Sequence, residues 1–335
     1  MRVEEFQYEL LTRDGLLLGI LDGVQAGGQL TGNVNAQIRW SGSLTYGGTI
    51  TKNEWLRYRI RVSIIIDGVV QPLGVFVVRG GEETTTGDDH AITLDLYDKT
   101  FIPASDAVET TYTVPEGTNI ATAVSTLLAS TGETHITIDS ATAMTRSAMV
   151  WDAGTTKIRI INDLLAATGY MALWCDAHGT YRLTPYTPPA ERPIVYRFAP
   201  SMKAIHTPQW AREQDAKIPN KIICVSQESA DAPAMTATAV NEDPTSPYSF
   251  QNQGVWVSEV HTGVEAATQA ALNTAAQRYL ATAVFSATVK RSMLLTPLEL
   301  NSICLNDSGG REVIENLDMT LTPATLMQVT TREVK

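Results

Sequence analysis

The fold class is decided by residues 55–66, which read WLRYRIRVSIII. Apolar and polar residues alternate there with the period of two that is typical of a β-strand. The next two residues, Asp67 and Gly68, tolerate positive φ and favour a tight type I′ turn. Residues 73–78 then return as the partner strand, and residues 92–96 alternate in the same way. The apolar face of the first strand carries Leu56, Tyr58, Ile60, Val62 and Ile64, and the other face carries Arg57, Arg59, Arg61 and Ser63.

The N-terminal segment, residues 1–104, is predicted to be a small antiparallel β-barrel domain. Its residues 19–48 are rich in glycine, asparagine, threonine and serine, with short strands such as residues 36–40. That composition favours long loops between short strands.

The central segment, residues 105–195, changes in character and is predicted to be an α+β domain. One helix follows Thr118, which is a fair N-cap residue, and a second helix spans about residues 155–168. A hairpin joins residues 171–174 to residues 181–183. Four prolines within residues 185–193 then mark a linker.

The C-terminal segment, residues 196–335, is predicted to be a second β-barrel domain with an inserted helix at about residues 263–284. Strands are expected at residues 221–226, 285–290, 298–305, 317–321 and 326–334. The predicted fold class is therefore α+β, mainly β, with two small antiparallel β-barrels that flank an α+β insertion.

Composition limits the possible functions. The chain has 335 residues and a formal net charge of -11, which argues against wrapping nucleic acid but is compatible with a channel along which a polyanion slides. On charge alone, the favoured interpretation is that the acidity keeps the protein in solution. Its three cysteines, Cys175, Cys224 and Cys304, form no disulfide framework. The N-terminus lacks the apolar core of a signal peptide, and no window is apolar enough for a membrane span. We expect synthesis in the cytoplasm of a cell.

Two polar clusters are candidates for catalysis or for cation binding. Asp176 and His178 lie close together, but a tight hairpin turn explains both residues without chemistry. Asp88, Asp89 and His90 follow one another, but they lack the regular oxygen spacing of a calcium loop. An exposed connection between strands is the favoured interpretation of this second cluster.

The alternating arginines Arg57, Arg59 and Arg61 place three cations on one strand face. Such a face could contact phosphate. The favoured interpretation is a solvated face, or one that pairs with carboxylates of a neighbouring strand or subunit.

Known catalytic and nucleotide-binding motifs are absent from the sequence. GxSxG, HExxH, GxGxxG and GxxxxGK[ST] do not occur. We therefore assign no catalytic residue, no metal ligand and no cofactor-binding residue, and we expect no enzyme activity.

Several stretches, which follow one another in order over most of the chain, resemble one known protein family. Residues 151–154 read WDAG, residues 158–165 are largely apolar, and residues 169–174 read GYMALW. These stretches resemble phage baseplate-hub proteins, the tail-tip hubs among the minor tail proteins of long-tailed phages. The resemblance continues with Asp176, Gly179, Tyr181, Pro185-Tyr186, Pro189, Arg192-Pro193, Arg212-Glu213, Asp215, Pro219-Asn220 and residues 241–247, 297–299, 321–323 and 330–333. Residues 57–60 and 74–76, in the N-terminal segment, resemble the first barrel of such hubs less specifically.

The resemblance implies a homotrimer whose two barrels per chain form a ring of six around one axis. Such a ring would join the sixfold tail tube, or the distal tail protein, to the threefold tip or fibre proteins. Its lumen would let the tape measure protein and then DNA pass, so that DNA is a partner only in transit. The expected location is the distal end of the virion tail.

Two other function classes stay open. One is a tail-associated peptidoglycan hydrolase, since two catalytic carboxylates cannot be identified from sequence spacing alone. The other is a tail adhesin that binds a receptor or a carbohydrate, whose expected sign is a cluster of exposed aromatic side chains.

Overall fold

The computed structural model describes residues 2–51, 53–86, 89–140, 142–198, 206–214, 218–226, 233–264, 266, 268–283 and 285–334, without the side chains of residues 86, 89, 206–210, 214, 282, 285 and 286. The strands are β1 Glu4–Thr12, β2 Leu17–Ile20, β3 Gly28–Asn33, β4 Trp40–Tyr46, β5 Tyr58–Ile66, β6 Val69–Thr86, β7 Asp89–Asp98, β8 Tyr112–Val114, β9 Ile136–Ile138, β10 Met149–Trp151, β11 Trp174–Cys175, β12 Tyr181–Leu183, β13 Ile194–Arg197, β14 His206–Gln214, β15 Lys221–Ser226, β16 Thr236–Val240, β17 Ser258–Val264, β18 Phe285–Leu294, β19 Ile303–Leu305, β20 Arg311–Leu321 and β21 Leu326–Val334. The helices are α1 Phe101–Ser105, α2 Ile120–Ser130, α3 Lys157–Ala167, α4 Phe250–Gln253 and α5 Gln269–Thr282. The chain is thus mainly β, as predicted.

One large sheet, which we call the main sheet, contains strands from both ends of the chain. Its strands follow the order β14-β18-β21-β20-β3-β4-β7-β6-β5-β1-β2, with β19 beside β20 and β13 beside β19. The N-terminal and C-terminal parts meet where β3 runs antiparallel to β20, with Gly32 opposite Leu317. Leu30, Ile60 and Leu317 belong to one core on this sheet. Closure of each part into a barrel, and the domain boundaries near residues 104 and 195, stay predictions.

The hairpin of β5 and β6 forms at the predicted place. Asp67 and Gly68 have φ angles of 50° and 83°, so both turn residues adopt the positive φ that a type I′ turn requires. The strand expected to start at Trp55 starts only at Tyr58, because residues Glu54–Arg57 form a turn of 3₁₀ helix. That turn directs Trp55 into the core, where its ring meets Tyr46 edge-on at 4.9 Å.

The insertion has its own core between α2 and α3 and two small sheets. Helix α2 is capped by Asn119 and not, as predicted, by Thr118: the Asn119 side chain accepts a hydrogen bond from the backbone N–H of Thr122 at 3.1 Å. The predicted second helix is α3, and the predicted hairpin is formed by β11 and β12.

A third core lies between α5 and the small sheet β16-β15-β17. The predicted helix at residues 263–284 begins later, at Gln269, because residues 258–264 form β17. Ala267 and Val284, which the helix prediction included, lie outside the described residues. The strand predicted at residues 36–40 is also wrong, since β4 begins at Trp40 after a turn.

Candidate assembly surfaces

Asp176 and His178 lie in the turn between β11 and β12, as predicted. The Asp176 carboxylate accepts hydrogen bonds from the backbone N–H groups of His178 and Thr180, both at 3.0 Å. Its other oxygen lies 3.8 Å from Arg182 Nη1. The carboxylate therefore shapes the turn, which is the role expected of an aspartate that bonds to the backbone two residues on. The assignment of no catalytic residue stays a prediction.

The cluster of Asp88, Asp89 and His90 is described only in part. Asp88 lies outside the described residues, and only the backbone of Asp89 is described. The exposed His90 ring lies 2.9 Å from the Glu83 carboxylate, on the facing strand of the β6–β7 hairpin. Among the residues whose side chains are described, no three acidic, histidine or cysteine side chains are grouped as a metal site would need.

The three arginines predicted to share one strand face have three different surroundings. Arg57 is exposed and belongs to the 3₁₀ turn instead of the strand. Arg61 pairs with Glu9 on the neighbouring strand β1 at 2.8 Å, which matches the predicted cross-strand pairing. Arg59 is buried and lies 3.9 Å from Glu133, in the loop that follows α2.

Glu133 belongs to a buried ionic cluster that joins the main sheet to the insertion. Its second oxygen lies 2.6 Å from Lys99 Nζ, and Lys99 also donates to the carbonyl of Gly179 at 3.1 Å. The Tyr181 hydroxyl donates to the carbonyl of Lys99 at 2.6 Å. Burial strongly raises the pKa of Tyr181 and lowers the pKa of Arg59. The Lys99–Glu133 ion pair and the hydrogen bonds to Gly179 and Tyr181 therefore link the main sheet to the insertion in the buried interior.

A cleft of about 280 Å³ lies between β6, the β11–β12 turn and residues 297–300. It contains the Glu299 carboxylate, whose pKa is raised by burial and then by the charge of Asp176. Arg39, which is buried at the same cleft, donates to the carbonyl of Ala172 at 3.3 Å.

The apolar edge, which we define as residues 16–20, is the most exposed aliphatic segment of the main sheet. Leu16, Leu17, Leu18 and Ile20 are each more than half exposed. Strand β2 ends the sheet, since β1 is the strand that pairs with it among the described residues. A free edge with apolar side chains on both faces invites pairing with another chain.

A second exposed apolar patch lies on the small sheet. The rings of Phe250 and Trp256 stack at 4.3 Å, and Lys221 Nζ lies 5.3 Å from the centre of the Trp256 ring. Val255 and Val260 are more than half exposed nearby in sequence. We define Phe250, Trp256 and Lys221 as the aromatic patch.

The sequence analysis did not identify either surface. The apolar edge did have a local signal in the sequence, because three consecutive leucines follow the Asp14-Gly15 turn. Without alternation with polar residues, both faces of this strand carry apolar side chains. Within the described part of the chain, no helix is long and apolar enough to span a membrane.

Comparison with known proteins finds similarity in structure only. No protein-family sequence model and no curated protein sequence matches the chain. Its structure is similar to a tail protein from Neisseria meningitidis MC58, with a TM-score of 0.68 and 12% identity over 98% of this chain and 96% of that one. The 43 kDa tail protein of prophage MuSo2 from Shewanella oneidensis has a TM-score of 0.66 and 11% identity, over 97% of this chain and 98% of that one.

Prophage tail protein gp18 from Listeria monocytogenes EGD-e has a TM-score of 0.62 and 10% identity, over 97% of this chain and 94% of that one. At such low identities the comparison shows the fold alone. The chain adopts the fold of these phage tail proteins, and the likeness predicted from sequence is confirmed at that level.

Proposed function

We propose that this chain is a non-enzymatic structural subunit of a phage tail or of a related tail-like particle. The observation that carries the proposal is a fold shared with three tail proteins over 97–98% of this chain. Because one fold can serve several functions, the surfaces must also fit assembly. The apolar edge fits it, since exposed aliphatic side chains on a free strand usually become buried against another chain.

Within the tail, the proposed position is the distal hub. Three copies would form a ring that meets the sixfold tail tube or the distal tail protein on one side and the threefold tip on the other. Two β-modules in each chain would reconcile these symmetries. The ring would surround the channel for the tape measure protein and DNA, and the net charge of -11 suits a wall along which DNA slides.

The ends of the main sheet support a ring in particular. The longest strand path runs from β14 at one end to β2 at the other, so its two ends are unlike edges, and β13 ends a short branch through β19. A contact between unlike edges of successive copies is head-to-tail, and such contacts close into rings when the rotation allows. The proposed neighbour of the apolar edge is therefore a second copy of this chain.

The test is the oligomeric state of the purified full chain, measured by light scattering coupled to size exclusion and by negative-stain imaging. We expect a trimer with a central opening. The double change Leu17→Glu and Leu18→Glu places charge on the apolar edge and should shift the protein to monomers. Val150→Glu changes an equally exposed aliphatic residue on β10 and should leave the trimer intact. Monomers at all concentrations, together with particles that show no such ring, would overturn the hub proposal.

A tail adhesin is the second candidate function, and the aromatic patch favours it. Stacked, partly exposed rings such as Phe250 and Trp256 form the kind of platform that packs against sugar rings. Binding of the purified chain to a glycan array, abolished by Trp256→Ala, would support this function. No binding to any glycan would remove it.

A further inference from the structure

A cleft of about 390 Å³ lies where the insertion, helix α5 and the main sheet meet. That volume is within the range of ligand pockets in proteins. We name it the Tyr–Arg cleft, because aromatic and cationic side chains from all three parts line it. They are Tyr170, Tyr186 and Tyr279, and Arg192, Arg278 and Arg332.

The lining of the Tyr–Arg cleft carries an excess of positive charge. Glu315 is the one acidic residue of the lining. Its carboxylate lies 2.9 Å from Arg332 Nη2 and also accepts a hydrogen bond from Asn35 at 2.8 Å. No lining carboxylate is left for Arg192 and Arg278. In a chain with a formal net charge of -11, this local excess of positive charge favours an anionic ligand.

Arg192 is held in place in a way that leaves its charge available. Its Nε donates to the carbonyl of Thr187 at 2.6 Å, and its Nη1 donates to the Asn301 side chain at 2.9 Å. The guanidinium carbon lies 5.6 Å from the centre of the Tyr186 ring. Neutral groups therefore position it, and burial lowers its pKa because the charge is partly desolvated. Among the described residues, no carboxylate forms an ion pair with Arg192.

We propose that the Tyr–Arg cleft binds an acidic segment of a partner protein. A carboxylate side chain of that segment accepts hydrogen bonds from Arg192 and Arg278, and the apolar residues beside it in the segment pack against Tyr170 and Tyr186. Because Nε and Nη1 of Arg192 are already bonded, its Nη2 is the donor left for a carboxylate. Arginine and tyrosine are also residue types enriched at the centres of protein interfaces. The overall acidity of the chain disfavours a nucleic acid as the occupant, because a polyanion carries many charges and is repelled more strongly than a segment with a single carboxylate.

This surface is separate from the apolar edge, so the inference does not depend on the proposed ring. The apolar edge lies on β2 and the residue before it, at the end of the main sheet, whereas the cleft is lined by residues of the insertion, of α5 and of the strands β20 and β21. A protein that forms no trimer could still bind an acidic peptide here.

The test uses two pools of pentapeptides, acetylated and amidated, with mixed flanking residues and either glutamate or glutamine at the centre. Binding to the full chain is followed by the NMR signals of the arginine side chains. We expect the glutamate pool, and not the glutamine pool, to shift the signals of Arg192 and Arg278. Arg278→Gln should weaken binding about tenfold or more, as should Arg192→Gln, because each change removes a charge-assisted hydrogen bond. Arg146→Gln changes an exposed arginine outside the cleft and should not change binding.

Three outcomes would overturn the proposal. The first is an equal response to both pools, or none at millimolar peptide. The second is a preference for a single-stranded oligonucleotide over the glutamate pool, since the occupant would then be a nucleic acid. The third is a loss of self-association when the exposed residue Arg278 is replaced in Arg278→Gln, because the occupant of the cleft would then be a second copy of this chain. If Arg192→Gln fails to fold, Arg278→Gln alone still tests whether binding depends on the charge in the cleft.

Discussion

Replacement of Glu312 by leucine tests a buried ion pair in the main sheet. Arg291 on β18 donates to both oxygens of Glu312 on β20, at 2.6 and 2.9 Å. The Thr331 hydroxyl on β21 donates to the same carboxylate at 2.5 Å, and the guanidinium carbon lies 4.5 Å from the centre of the Phe198 ring. The side chains of Arg291 and Glu312 are only 6% and 0% exposed, so water cannot replace a lost partner.

Loss of one partner should therefore be costly. Glu312→Leu leaves the Arg291 charge buried and unpaired, and removal of one member of a buried pair costs about 3–5 kcal/mol of unfolding free energy. The double change Arg291→Met and Glu312→Leu replaces both charges by apolar groups and should restore stability to within about 1 kcal/mol or better.

The same sheet offers a matched control. Arg212 and Glu333 also form a two-bond pair, at 2.7 and 2.9 Å, but their side chains are 44% and 19% exposed. Water can solvate the partner that remains there, so Arg212→Met should cost no more than about 1 kcal/mol.

Hydrogen–deuterium exchange of β20 and β21 amides is the suitable assay. The described residues form three separate cores, so unfolding need not follow one transition, and exchange reports the opening free energy of the sheet itself. The reasoning fails if Glu312→Leu lowers protection no more than Arg212→Met does, or if the double variant is as weakly protected as the single one.

Two further predictions concern the pH dependence of stability and the packing of the sheet. Burial raises the pKa of Glu299 in the folded protein. The contribution of Glu299 to stability is therefore complete at pH values below the ordinary glutamate pKa, and it is lost as the pH rises through the higher pKa of the folded state. Glu299→Gln should raise the urea concentration at the unfolding midpoint at pH 7 but not at pH 4. Glu54→Gln should instead lower that midpoint at pH 7, because hydrogen bonds lower the pKa of Glu54 in the folded protein. Gly42→Ala should destabilise the sheet by about 1–3 kcal/mol in urea unfolding, since a Cβ there would overlap a backbone carbonyl of β3. Gly47→Ala meets ordinary contacts and should be neutral; equal effects of the two glycine changes would contradict this account.

Local alternation predicted several strands well. Strand β21 spans Leu326–Val334, as predicted, and β5 differs only at its start. In both segments the residues that alternate also pack on the shared core, so the local pattern and the tertiary environment agree. Trp55 shows where they disagree: continuing the strand would place it on the same face as Arg57 and Arg59, whereas the 3₁₀ turn directs it into the core against Tyr46.

The large-scale arrangement was harder to predict. Pairing of β3 with β20 depends on which free edges meet in space, and no local period encodes that choice. Strand β17 was missed because residues 258–264 are mostly exposed and carry no alternation of apolar residues.

The candidate surfaces were missed for a similar reason. The leucines of the apolar edge look like core residues in the sequence, and only the strand order shows that they lie on an outer edge. The Tyr–Arg cleft collects residues from three separate parts of the chain, so no spacing could bring Arg192 and Arg278 together.

The pairing of β3 with β20 has a consequence for biosynthesis. While the ribosome is still translating the insertion, Gly32 and the rest of β3 have no partner on that side, because Leu317 has not yet been made. An edge left open for so long is prone to pair with other nascent chains. Fast, local folding of the insertion cannot relieve this exposure, so the last strands to leave the ribosome determine when the sheet is complete.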